Sequence, residues 1–241
     1  SAKDGDIMYI KGSGTRLADI TADGFVKMSR SKIAEIFTKT YPDNDKEREA
    51  LSLADLMAAK LPDQENKRPS VETTLHSLFP QTYVLHLHPA LVNGITCAVD
   101  GKAWAQKLFG DEVLWVDACK PGYTLAKICY DTLNEYKAKS EVVRSAEIYK
   151  GFAFAICHGD GIESPTILGA QAANELLTII EIKTSFVLTE YNGKIYISSR
   201  SIDEINVQII MERLGGGGHL NVAGAQMTDC SVEEARQRIC D

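Results

Sequence analysis

The amino-acid sequence predicts an α/β protein made of two parts that meet near Ser140. Strand-like apolar segments alternate with helical segments along the chain, which is the pattern of the α/β class. The character of these segments changes near Ser140, and neither part resembles the other. Apolar residues make up 44% of the chain and charged residues 24%, as in a soluble globular protein. We therefore expect one domain over residues 1–139 and a smaller one over residues 140–241.

The first 60 residues predict one strand and two helices. Asp6–Ile10 is short and rich in β-prone residues, and it leads into a glycine-rich loop at residues 11–14. Ser31 is the predicted N-cap of the first helix, because apolar residues follow it at helical spacing. A charged loop is expected over residues 43–48, and a second short helix over Leu53–Lys60.

Helices and strands alternate more regularly between residues 70 and 139. The predicted elements are a helix over Val71–Phe79, a strand over Tyr83–Leu87, a helix over residues 102–109, a strand over Glu112–Val116 and a helix that Thr124 caps and that ends near Lys139. This succession supports a sheet-and-helix domain.

The second part predicts a small α/β domain with one clear hairpin. Asn192-Gly193 between two β-prone segments is the strongest short hairpin signal. The predicted elements are a strand over Phe152–Cys157, a helix from Ser164-Pro165 with the stripe Leu168, Ala172, Leu176 and Ile179, strands over Thr184–Glu190 and Lys194–Ser199, a helix over Val207–Leu214, and a last helix opened by the capping box at Ser231.

Composition and charge exclude several classes of function. No run of about 18 apolar residues occurs, so no membrane span is expected. The first residues lack the features of a signal peptide, and the 6 cysteines form no CxxC pair, so we expect reduced thiols and a cytoplasmic location. The net charge is −7, and residues 140–241 hold 8 Lys/Arg against 14 Asp/Glu. Binding to long nucleic acid is therefore not expected.

The first candidate site is the pair His86 and His88 in the predicted strand. Residues i and i+2 of a strand point to the same face, so both imidazoles can hold one metal ion. Two histidines are too few for a tight site, so a third ligand is expected. Glu72 lies upstream, and a carboxylate beside a metal-bound carbonyl is suited to moving a proton. The alternative is that the two histidines are only surface residues.

Three segments in this part resemble class II aldolases of the fuculose- and rhamnulose-phosphate type. They are Lys11-Gly12-Ser13-Gly14, the stretch PSVETTLH over Pro69–His76, and YVLHLHP over Tyr83–Pro89, in the order of that family. The resemblance implies Zn²⁺ held by His86 and His88, and Glu72 as the acid/base residue. It also implies that Gly12, Ser13, Gly14 and Ser70 bind the phosphate of the substrate. His76 is expected to be structural.

The implied reaction is aldol cleavage of a ketose 1-phosphate to dihydroxyacetone phosphate and an aldehyde. The chain departs from the family pattern in three places. The family's phosphate loop begins with a Gly-Asn just before a serine, and that serine corresponds to Ser1. The expected third metal histidine and the C-terminal tail with a catalytic tyrosine do not follow the helix that ends near Lys139. His158, followed by Gly159, mimics the missing ligand and is a tentative candidate for it. The chain could also form a homo-oligomer, which the sequence does not decide.

The second candidate site is the glycine run Gly215-Gly216-Gly217-Gly218, followed by His219. Glycines allow the backbone to surround an anion with N–H groups, and His219 adds a donor or a positive charge. A flexible linker is the alternative. The segments ISSRS (Ile197–Ser201), INVQIIMERL (Ile205–Leu214) and GGGGHLNVAGAQM (Gly215–Met227) closely resemble the DHH-associated domain of bacterial cyclic-di-AMP phosphodiesterases.

That second resemblance implies that Arg200 and the loop Gly215–His219 hold the phosphate and base of a cyclic or linear dinucleotide. A plain surface arginine is the alternative for Arg200. In that family a separate domain with an Asp-His-His motif binds manganese and performs hydrolysis. The motif does not occur here, so we expect binding without cleavage and no Mn²⁺. Three hypotheses remain open: an aldolase with an added nucleotide-binding domain, a nucleotide-binding protein with an inert aldolase part, and a chimera or fragment with no complete activity.

Overall fold

A computed structural model describes residues 1–202 and 205–241. The chain divides into two compact units, unit 1 over Ser1–Thr132 and unit 2 over Leu133–Asp241. Both units combine helices with a sheet, so the predicted α/β class is confirmed. Among the described residues no helix is both long enough and apolar enough to cross a membrane.

The strands of the described residues form two sheets, one in each unit. Unit 1 contains β1 (Ala2–Asp4), β2 (Ile7–Lys11) and β3 (Phe25–Ser29). Unit 2 contains β4 (Glu147–Tyr149), β5 (Phe152–His158), β6 (Thr184–Tyr191), β7 (Lys194–Ser201), β8 (Gly217–His219) and β9 (Val222–Thr228).

The α-helices are distributed over the whole chain. They are α1 (Arg30–Thr38), α2 (Asp45–Ala58), α3 (Thr73–Ser77), α4 (Ala90–Thr96), α5 (Gly101–Phe109), α6 (Tyr123–Arg144), α7 (Pro165–Leu176), α8 (Val207–Arg213) and α9 (Val232–Cys240). Short 3₁₀ helices cover Ala22–Gly24, Pro62–Gln64 and Gly110–Glu112.

Unit 1 is built on an antiparallel sheet in the order β1-β2-β3. Alternate residues of β2 and β3 are buried, because successive side chains of a strand point to opposite faces. They form a core with α1 and α2 that includes Met8, Met28, Ile33 and Leu56. The sheet and these two helices therefore make the central framework of the unit.

Unit 2 is built on a sheet in the order β4-β5-β6-β7-β9-β8. The pair β5 and β6 is parallel, and helix α7 lies between these strands in sequence, whereas all other pairs are antiparallel. One face packs against α8 and α9 through residues such as Phe186, Ile197 and Met211. The opposite face of β5 and β6 packs against α7 through residues such as Val187.

Several predicted elements are wrong in extent or type. Tyr83–Leu87 is not a strand: Tyr83 forms an isolated bridge with Ala2 and Val84 exchanges backbone hydrogen bonds with Ser1, but the pairing does not continue to Leu87. Glu112 ends a short 3₁₀ helix, and residues 113–116 pair with no strand among the described residues. The expected loop at residues 43–48 is the start of α2, because the Asn44 side chain accepts hydrogen bonds from the N–H groups of Lys46 and Glu47.

Other differences concern the ends of helices. The N-cap of α1 is Ser29 rather than Ser31, because the Ser29 hydroxyl accepts a hydrogen bond from the N–H of Lys32. Helix α6 begins at Tyr123, so Thr124 lies inside it rather than capping it. Helix α7 ends at Leu176, and Ile179 is outside the helix and 43% exposed. The capping box at Ser231 and the start of α7 at Pro165 are confirmed.

Candidate functional site

His86 and His88 lie on the same side of the extended segment, as their spacing predicts. Their rings are stacked with centroids 4.9 Å apart and an angle of 20° between the planes. Both side chains line a cavity of about 610 Å³ in unit 1. Lys11 and Ser70 also line this cavity, and the Lys11 ammonium donates hydrogen bonds to the carbonyls of Gly12 and Thr15.

The two imidazoles are ligands of a type that zinc prefers, but they are fewer than the protein ligands that a zinc site requires. Zinc in proteins is held by at least three protein ligands, and imidazole nitrogen is among its preferred donors. Within residues 1–202 and 205–241, no three His, Cys, Asp or Glu side chains are arranged to hold a metal ion. The residues therefore do not fit a complete zinc site.

His76 is buried on α3, with its ring centroid 5.7 Å from that of His86. Its Nδ1 atom is 3.0 Å from the Ser1 hydroxyl. Burial, helped by neighbouring positive charges, lowers the pKa of His76 to about 4. The ring is therefore neutral at pH 7, and its structural role stays a prediction.

Two backbone N–H groups of the glycine-rich loop donate hydrogen bonds within the protein, and phosphate binding by this loop stays a prediction. The N–H of Gly12 donates to the carbonyl of Gly24 at 2.8 Å, and the N–H of Ser13 donates to the carbonyl of Arg68 at 2.8 Å. Neither group is free for a phosphate, and neither residue lines the cavity, nor does Gly14. Ser70 is the one predicted phosphate residue that lines it.

Glu72 precedes α3 and does not line the cavity of His86 and His88. Its Oε2 atom is buried and has no hydrogen-bond partner among the described residues. Burial first, and then the charges of Cys119 and Glu72, raise the pKa of Cys129. Glu72 is thus close enough to Cys129 to affect it electrostatically, and its role as acid/base residue stays a prediction.

His158, the tentative third ligand, belongs to unit 2. It ends β5, and its Nδ1 atom is 3.4 Å from Oε2 of Glu190, its partner in the parallel pair of β5 and β6. Its side chain is 72% exposed. As a metal ligand it remains a prediction.

The register of the sheet in unit 2 brings Arg200 and His219 together in one row. Arg200 of β7 pairs with Val222 of β9, and Val222 pairs with His219 of β8. Directly paired residues project from the same face of a sheet. Two strand spacings of about 4.8 Å separate the backbones of Arg200 and His219.

The next row of the same face carries almost no side-chain bulk. Ser198 pairs with Gly224, and Gly224 pairs with Gly217. A methyl group added at Gly217 would meet no atom within 4 Å. The face is opposite to the one that packs on α8 and α9, because the alternate residues Ile197 and Ala223 belong to that core. We call the two rows Arg200–Val222–His219 and Ser198–Gly224–Gly217 the open face.

The glycine run is part helix end and part strand rather than a loop throughout, and anion binding by it stays a prediction. The N–H of Gly215 donates to the carbonyl of Glu212, and the N–H of Gly216 donates to the carbonyl of Met211. These two hydrogen bonds close the C-terminal end of α8. Gly217 and Gly218 belong to β8. Gly218 has φ +149, and a methyl group there would lie 2.4 Å from Cα of Ala223. The run therefore ends a helix and allows close packing of β8 on β9.

Arg200 is half-buried and is held by two hydrogen bonds. Its Nε donates to Oδ1 of Asn174 on α7 at 2.8 Å, and its Nη1 donates to the carbonyl of Ser199 at 2.9 Å. Burial lowers the pKa of the guanidinium below its ordinary value, although it stays charged at neutral pH. Asn174 was missed by sequence reasoning, since no local pattern links it to a residue 26 positions away.

Comparison with known proteins places the two units in two families. The family model of the class II aldolase and adducin N-terminal domain matches residues 1–147, and the chain belongs to this family. The DHHA1 domain matches residues 153–241, so the chain also carries this domain. Both resemblances found in the sequence are confirmed.

Particular relatives each match about half of the chain. The cyclic-di-AMP phosphodiesterase PdeA of Listeria monocytogenes is 41% identical over 111 residues, which is 45% of this chain and 17% of that protein. The uncharacterized oxidoreductase YuxG of Bacillus subtilis is 32% identical over 124 residues, 51% of this chain and 17% of that protein. The chain thus spans about a sixth of each of these relatives.

The class II aldolase domain of a conserved protein from Thermoplasma acidophilum is a solved structure that resembles the chain. It is 26% identical, covers 53% of this chain and 55% of its own, and has a TM-score of 0.43.

Proposed function

We propose that unit 2 binds an adenine dinucleotide, cyclic di-AMP or its linear product, on the open face. The observation that carries this proposal is the row of Arg200, Val222 and His219. The exposed apolar side chain of Val222 has one potential hydrogen-bond donor on each side, Arg200 on one and His219 on the other. The similarity to cyclic-di-AMP phosphodiesterases supports this class of ligand.

The open face has properties suited to a flat, anionic ligand. Arg200 is partly desolvated, and within residues 1–202 and 205–241 it forms no ion pair. A phosphate would replace the lost hydration of its guanidinium with charge-assisted hydrogen bonds. Gly217 and Gly224 leave the neighbouring row without bulky side chains, which allows a purine ring to approach the backbone.

The proposal concerns binding and not hydrolysis of the dinucleotide. The Asp-His-His motif that the resemblance implies for hydrolysis does not occur in the 241 residues. The acidic balance of residues 140–241 also disfavours long nucleic acids, so the ligand is expected to be small.

Calorimetric titration of the full chain with cyclic di-AMP tests the proposal. We expect His219→Ala and Arg200→Ala each to weaken binding about tenfold or more, corresponding to at least about 1.4 kcal/mol. Arg238→Ala is a matched control, because Arg238 lies on α9, which packs on the opposite face of the sheet. Undiminished binding by His219→Ala would refute this assignment of the site.

The second candidate function is zinc-dependent aldol cleavage of a ketose 1-phosphate in unit 1. The stacked pair of His86 and His88, in a cavity shared with Lys11 and Ser70, favours it. Because the described residues do not complete a zinc site, we expect weak metal binding and activity far below that of a complete aldolase.

Two measurements test this second candidate. Zinc content after dialysis should fall in His86→Ala relative to the unaltered chain. Release of dihydroxyacetone phosphate from fuculose 1-phosphate or rhamnulose 1-phosphate would establish the reaction. If neither zinc retention nor product release depends on His86, unit 1 does not work as an aldolase.

A further inference from the structure

We propose that Asn174 is the positioning residue that orients Arg200 toward a nucleotide on the open face. The inference rests on the proposed function of unit 2 and adds a residue of α7 to that site. Asn174 accepts a hydrogen bond from Nε of Arg200 at 2.8 Å.

The hydrogen bonds of Arg200 leave most of its donors available. A guanidinium has five N–H donors in one plane. One donates to Asn174 and a second donates to the carbonyl of Ser199. Among the described residues no other partner is present, so three donors remain, on Nη1 and Nη2, for a ligand.

The bond to Asn174 also determines the direction of those donors. The hydrogen bond from Nη1 to the adjoining carbonyl of Ser199 holds one end of the guanidinium. The bond to Asn174 holds Nε, so the two bonds together define the plane of the fork. A fork with a defined plane loses less conformational freedom when it binds a phosphate than a freely rotating one.

Asn174 is well placed to act on Arg200 without a major role in the stability of α7. It is exposed near the C-terminal end of the helix, while the core residues Ala172, Ala173 and Leu176 hold the helix on the sheet. Alanine is also a better helix former than asparagine. Asn174→Ala should therefore fold normally and lose only the acceptor for Nε.

A double-mutant cycle distinguishes positioning from a general structural effect. Calorimetry with cyclic di-AMP is performed on the unaltered full chain, Asn174→Ala, Arg200→Lys and the double variant. Arg200→Lys retains the positive charge but removes the planar fork. We expect Asn174→Ala to weaken binding about fivefold to tenfold in the presence of arginine, and less than twofold in the Arg200→Lys background.

Gln171→Ala is the matched control, because Gln171 is exposed one turn earlier on the same helix and has no side-chain hydrogen bond among those described. Thermal unfolding of every variant shows whether the fold is retained. Equal losses of affinity in both backgrounds, or equal losses in Gln171→Ala and Asn174→Ala, would overturn the positioning role. If the unaltered chain does not bind at all, the proposed function of unit 2 fails instead.

Discussion

Alanine substitutions at two neighbouring glycines of β8 should have different effects: Gly217→Ala should weaken ligand binding, and Gly218→Ala should lower the stability of the fold. A methyl group at Gly217 meets no atom within 4 Å. We expect the unfolding free energy of Gly217→Ala to stay within about 0.5 kcal/mol of the original value. The same methyl group would project from the open face, so affinity for cyclic di-AMP should fall about tenfold, or about 1.4 kcal/mol.

Gly218→Ala should have the opposite effect on stability. Its φ of +149 is rarely adopted by residues with a side chain, and the methyl group would lie 2.4 Å from Cα of Ala223 and 2.5 Å from the carbonyl oxygen of Val222. Overpacking alone costs about 1–3 kcal/mol, so we expect a loss of at least about 2 kcal/mol with the added backbone strain. Urea denaturation measures both variants, and calorimetry measures the affinity of Gly217→Ala. Unchanged affinity in Gly217→Ala would show that the ligand does not occupy the open face, and equal stability of the two variants would contradict the clash expected at residue 218.

Three further predictions concern stability. Leu176→Ala should lower the unfolding free energy by about 2–5 kcal/mol, because Leu176 is fully buried against the sheet, and urea denaturation would detect this. Asn206→Ala should cost about 1 kcal/mol in the same assay, since its side chain caps α8; no change would show that the cap is dispensable. The Asp6 carboxylate accepts hydrogen bonds from the Ser29 hydroxyl and the N–H of Ser31, which lower its pKa. The ionised Asp6 carboxylate therefore contributes fully to the stability of the folded state above the pKa of Asp6 in the unfolded chain, roughly 4. This contribution is lost as the pH falls through the lower pKa of Asp6 in the folded state, so Asp6→Asn should make the stability less sensitive to acid.

Local signals in the sequence predicted local structure well. The Asn192-Gly193 turn joins β6 and β7 as expected, and both residues have positive φ, at 51 and 70. The capping box at Ser231 is formed in both directions. In these cases the residues that determine the conformation lie within a few positions of one another, so the local sequence is enough to predict that conformation.

Predictions failed where a distant partner decides the conformation. Tyr83–Leu87 has the composition of a strand, but a strand also requires neighbours along its length, and here the pairing with Ser1 and Ala2 stops after Val84. The glycine run suggested a loop, yet pairing with β9 makes part of it an edge strand. Neither outcome follows from local composition.

The candidate sites were also predictable only where the residues involved lie close together in the sequence. The position of His86 and His88 on the same side of their segment was predictable, because side chains two residues apart in an extended chain point the same way. The row of Arg200, Val222 and His219 required the register of three strands. The bond from Arg200 to Asn174 required the packing of α7 on the sheet, which no motif in the sequence specifies.

The mixed sheet of unit 2 has a consequence for the order of folding. Strands β6 and β7 need to close only a two-residue turn before they pair, whereas the parallel partners β5 and β6 are separated by residues 159–183, which include α7. Closing a short loop costs less entropy than closing a long one, and pairing of distant segments is slow. The hairpin should therefore become protected from hydrogen exchange early in refolding, and β5 should gain protection only once α7 has docked.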